Sequence, residues 1–63
     1  MTQKIVPTVT VAAELTERGK VLLSQGRNRD ACAEWHEAIL KSPGSPGGIE
    51  AATLKLQYCP NVP

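Results

Sequence analysis

The residues best suited to chemistry are Cys32, His36 and Cys59. Cys32 and His36 stand four apart, so on a helix they share a face. That spacing holds two zinc ligands, Cys59 supplies a third, and Glu37, Asp30, a partner chain or water would complete a tetrahedral site. No tight Cys-x-x-Cys pair is present. The simpler reading makes Cys32 a small buried apolar residue and His36 a surface polar one, and leaves no metal ligand to assign. Cys32 and Cys59 can instead form a disulfide pinning a third helix to the two before it, which requires an oxidising compartment. As nucleophile and base, Cys32 and His36 lack an oxyanion donor and a third orienting group. The carboxylate pairs Glu34 with Glu37 and Glu14 with Glu17 are three apart on helix surfaces, where such pairs are solvated. The expectation is no catalytic residue, no cofactor and no enzyme.

The elements that must position these groups are few. The chain has 63 residues, room for one domain. Below about 70–80 residues a single core rarely supplies more than about 3–5 kcal/mol, so a disulfide, a metal or a partner surface is expected to help. Trp35 and Tyr58 are the only aromatic residues, and the core must come from Leu, Ile, Val and Ala. Net charge is +1 with acids and bases interspersed, without the basic stripe of a nucleic-acid binder. No apolar run reaches the ~20 residues of a membrane span. The start, Met1 to Pro7, lacks the long apolar region of a secretory signal. A cytoplasmic setting is expected, and with it two thiols in preference to a disulfide.

The pattern is all-α. Residues 1–9 read as an extended arm, because Ile5, Val6 and Val9 are β-branched and Pro7 biases its neighbour away from helix. A helical domain over 10–58 follows. Its hairpin, 11–42, has a first helix from about Val11 to Gln25 ended by Gly26. A second helix runs from about Asn28 to Lys41, with Ala31, Trp35, Ala38 and Ile39 as its apolar stripe. Pro and Gly over Ser42–Gly48 break the chain. A third helix spans 48–58 with two apolar faces: Ile49, Ala52 and Leu56 on one, Ala51, Leu54 and Tyr58 on the other. Two such faces predict burial on two sides. Residues 59–63 are a tail.

Residues 12–45 resemble one tetratricopeptide repeat, a helix pair of about 34 residues with small and large residues at fixed places. Leu15 stands at the first apolar position, Gly19 at the glycine, and Leu22 in place of an aromatic. Ala31, Trp35, Ala38 and Pro43 fall at the offsets of the second helix and its exit. The resemblance implies that Ala31 faces Gly19, that Trp35 and Leu22 fill the space between helices, and that the third helix is a solvating helix of the kind that closes such arrays. Arg18 departs from the family's Leu. The equivalent of the family's peptide groove would be Ala13, Thr16, Lys20, Leu23 and Ser24, with only Lys20 basic.

Such units bury their faces on neighbours, and about three are needed for stability. A lone unit is expected to pair with itself or dock on another protein. The expected function is a non-enzymatic adaptor or accessory subunit with a protein partner or a second copy, no nucleic acid and no membrane insertion. Its contact residues would be Lys20, Leu23, Arg27, Arg29 and Tyr58, with Trp35 in the core. A phage or mobile-element inhibitor of a host protein is the alternative, and a metal- or redox-responsive helical module a further one.

Overall fold

The fold is that of a computed structural model, which describes residues 7–60. It is all-α: α1 spans Pro7–Ser24, α2 Asn28–Lys41 and α3 Pro46–Tyr58. α1 and α2 form a hairpin, and α3 packs against both. Among the described residues there is no strand.

α1 begins earlier than its sequence pattern indicates. Residues 7–9 form its first turn and are not part of an extended arm; residues 1–6 of that arm lie outside the described residues. A proline fits a helix's first turn, because the N–H it lacks has no helical acceptor there. At the other end Gly26 takes φ +78°, the left-handed conformation that glycine adopts without a Cβ penalty. The Gly26 N–H donates to the Leu23 carbonyl and the Arg27 N–H to that of Leu22, at 3.0 and 2.9 Å. This double bond pattern satisfies the last carbonyls and turns the chain into α2.

α2 matches its expected bounds. Arg27 at its N-cap makes no side-chain capping bond. Its guanidinium instead reaches Asp30 in the first turn, Nη2 standing 2.6 Å from Oδ2. The helix stops at Lys41, one residue before the Ser42 N–H donates back to Ala38, and Pro43 follows. α3 starts at Pro46, two residues before its expected start. Ser45 caps it: the hydroxyl accepts from the Gly48 N–H at 3.1 Å and donates to the Ser42 carbonyl at 2.9 Å.

The hairpin core is one large side chain among small ones. Trp35 is fully buried, with Ala12, Ala31, Ala38 and Ala51 around it and Leu15 and Leu22 packed against the cluster. Gly19 faces the Trp35 indole, not Ala31 as expected. A Cβ there would overlap Nε1 and lie 2.7 Å from Cδ1 and Cε2. The ring lies so close over the α1 backbone that its Nε1–H donates to the Thr16 carbonyl at 3.1 Å. A buried indole needs such an acceptor.

In the α1–α3 seam it is backbone that approaches backbone, which glycine allows. A Cβ at Gly47 would lie 2.8 Å from the backbone of Ala13, and one at Gly48 would run into the Ser42 carbonyl. Thr16, expected on an open groove face, is buried in this seam. Its hydroxyl is 2.8 Å from both the Ala12 and the Gly47 carbonyls and has one proton to donate to them.

Candidate functional site

Of the three chemically suggestive residues, the structure brings the two cysteines together and leaves His36 apart on the surface of α2. Cys32 and Cys59 are joined in a disulfide across 27 residues, with Cα atoms 6.1 Å apart. This corrects the expectation of two thiols: α2 and α3 bring the side chains face to face, and both are buried. In this state neither sulfur is a thiolate, so neither is a zinc ligand or a nucleophile. His36 is exposed, and its Nδ1 accepts from the Lys55 ammonium at 3.1 Å. Among the described residues no cluster of three His, Cys, Asp or Glu side chains is placed to hold a metal.

The expected contact residues are dispersed. Lys20 bridges helices: its ammonium lies 2.8 Å from Glu50 of α3 and 2.9 Å from Glu17. Bonding to Glu50, then to Glu17, raises its pKa above the ordinary lysine value. Arg27 is engaged by Asp30 at the hairpin turn. Leu23 is half-buried against the core. Arg29 is exposed. Tyr58 is half open, its ring centroid 6.0 Å from that of Trp35 at an interplanar angle of 35°. Of the carboxylates, Glu34 is shielded: Oε1 lies 3.1 Å from Arg18 Nε without hydrogen-bond alignment, so charge alone holds that pair.

One surface was not assembled from the sequence. Ile39 of α2 and Ala52, Lys55 and Leu56 of α3, with Cys59 and Pro60 beyond its end, line an open groove of about 450 Å³. Cys59 of the disulfide is part of that lining. Ile49, Ala52 and Leu56 fall at i, i+3 and i+7, on one stripe of α3. Ile49 is 56% exposed, Leu56 81%, and Leu40 on α2 63%. The expectation that both apolar faces of α3 are buried therefore fails for one of them. Ala51 is covered by the hairpin and Leu54 packs against it; the Ile49 stripe is not covered. The signal for this groove was in the sequence as the second apolar face, and it lacked only a way to tell which face the hairpin takes.

No helix among the described residues is long and apolar enough to cross a membrane. Comparison with known proteins finds no matching family model, no similar curated protein and no similar solved structure.

Proposed function

We propose that the chain is a small non-enzymatic interaction module, an adaptor or accessory subunit, that docks through the outward face of α2 and α3. The observation that carries this reading is the uncovered stripe of Ile49 and Leu56 beside the Ile39 groove. Contiguous exposed apolar surface of this kind marks interaction sites on soluble domains. A tetratricopeptide-type origin gives the stripe a reason. In such arrays each helix pair covers the next, and among the described residues the Ile49–Leu56 face of α3 is uncovered. The reading is supported by Gly19 under Trp35 and by the buried Ala31 and Ala38. Arg18, at odds with the family pattern, has Glu34 as its partner.

The disulfide supports an oxidising working compartment over the cytoplasmic one expected from the sequence. It also favours one second reading, a redox-responsive module in which a dithiol reductant releases α3. Reduction that leaves α3 docked, read by the Trp35–Tyr58 contact in NMR, counts against that second reading.

The test of the module is affinity purification from the native source with the wild-type chain and with Leu56→Glu. A stoichiometric partner retained by the first and lost from the second supports docking at this face. A partner kept by both places the interaction elsewhere.

A further inference from the structure

The charges around the α2–α3 groove are segregated, and this identifies the chemistry of what fits it. On α2, Asp30, Glu34 and Glu37 fall at i, i+4 and i+7, one stripe. Glu34 meets Arg18 of α1, so that stripe lies toward α1. Glu50 of α3 likewise meets Lys20 of α1. A second stripe of α2, about a quarter-turn or more round the helix, carries Arg29, His36 and Leu40 at i, i+7 and i+11, and the His36–Lys55 contact sets it beside α3. Lys55 is the one ionisable residue lining the groove. Among the described residues neither Lys55 nor Arg29 has a carboxylate within ion-pair distance. The ion pairs that cross between helices thus lie on the α1 side, Arg18 with Glu34 and Lys20 with Glu50. The groove lining is apolar with Lys55 as its one charge, and Arg29 lies on the adjoining stripe of α2.

From this arrangement the geometry points to an acidic amphipathic helix of a partner protein as the occupant. Its apolar residues would lie against Ile39, Ile49 and Leu56, and its flanking carboxylates would reach Lys55 and Arg29. This rests on the docking reading above and names the partner's chemistry. A helix fits better than an extended segment because α2 and α3 satisfy their own backbone groups. An extended peptide would find no sheet edge among the described residues, whereas a helix carries its hydrogen bonds with it. The channel between two packed helices is also the seat a third helix takes. An anionic membrane is a poorer fit, since surface binding of that kind draws on clusters of about 4–8 basic residues.

The test uses the full disulfide-bonded chain and two fluorescein-labelled synthetic helices of about 18 residues, enough for five turns. Both carry the same Leu stripe; one is flanked by Glu, the other by Lys. Anisotropy titration is expected to show the Glu peptide binding about tenfold tighter, since each exposed ion pair contributes a factor of about two to five. That preference should shrink as salt shortens the screening length. The double variant Arg29→Glu, Lys55→Glu should reverse the preference, and Leu56→Glu should weaken both peptides. All three positions are on the surface, and circular dichroism checks that the helices persist.

Equal affinity for the two peptides, or no saturation with either, overturns the proposal. So does sedimentation with phosphatidylserine vesicles in the absence of any peptide preference. A wild-type dimer that Leu56→Glu dissociates would make a second copy the occupant, and also overturns it. Failure here is distinguishable from failure of the module reading. If the native partner is lost from Leu56→Glu but unaffected by the charge reversal, the acidic helix is wrong and the docking face stands.

Discussion

The seam between α1 and α2 and the seam that holds α3 are built from different materials. The first is apolar volume: Trp35 fills the space that Gly19 leaves, with alanines around it. The second is close backbone approach at Gly47 and Gly48, with the Thr16 hydroxyl, the Lys20–Glu50 pair and the Cys32–Cys59 bond. The second seam uses little of the apolar surface of α3. Ile49 and Leu56 are therefore left outward although the core is short of large side chains. Polar and covalent fastening of α3 leaves its apolar stripe uncovered, the surface on which the proposed docking rests.

The largest expected effect breaks the first seam. Trp35→Ala should cost about 3–5 kcal/mol, as much as a core of this size supplies. Urea titration followed by circular dichroism should then show no cooperative transition. A variant that still unfolds cooperatively near the wild-type midpoint would mean that Trp35 does not anchor the hairpin.

Removing the covalent tie tests whether the seams are separate. Cys32→Ser with Cys59→Ser should lower stability by about 3 kcal/mol for a closed loop of this length. Hydrogen exchange should quicken first in α3, with the α2 amides near Trp35 protected longest. Equal loss of protection in all three helices would make the two seams one cooperative unit.

Smaller changes sharpen the contrast. Thr16→Val keeps the shape but removes the hydroxyl facing Gly47 and Ala12, and should cost about 1 kcal/mol in urea unfolding. Leu56→Glu should change stability by no more than about 0.5 kcal/mol, because the residue is 81% exposed. A large loss would show that α3 needs its outward stripe for folding.

The smallest effect concerns pH. Lys20 has a folded-state pKa raised above the ordinary 10.5 by Glu50 and then Glu17. Its contribution is complete below that ordinary value and is lost as pH rises through the folded one. Stability should show no Lys20-dependent change between about pH 7 and 9, and Lys20→Met should flatten the decline only in strongly alkaline solution. A wild-type and variant pair that diverge at neutral pH would remove the titration of Lys20 as the cause.

Much of the fold was legible from local rules. The bounds of α2, the Gly26 stop and the burial of Trp35, Ala31 and Ala38 follow from periodicity and capping, which act within a few residues. The starts of α1 and α3 differ from the sequence pattern for one shared reason: Pro7 and Pro46 look like breakers, whereas a proline in the first helical turn loses no hydrogen bond. The family resemblance places Thr16 on an open groove face. Only the arrival of Gly47 from a residue 31 positions away supplies a carbonyl that lets it be buried.

The sequence by itself determined three amphipathic helices, a tryptophan core and two apolar faces on α3, because these depend on residue type and spacing along one helix. Tertiary structure decided what became of the chemistry-bearing residues. Cys32 and Cys59 are 27 apart in the chain, and only the docking of α3 on α2 brings their Cα atoms to 6.1 Å, making a bond where a zinc pair or two thiols had been open. The same docking chose which face of α3 is covered. Gly47 packs closely on the α1 backbone and Gly48 on the end of α2, so Ile49 and Leu56 point away from the hairpin, Leu56 lining the groove that the proposed partner would fill.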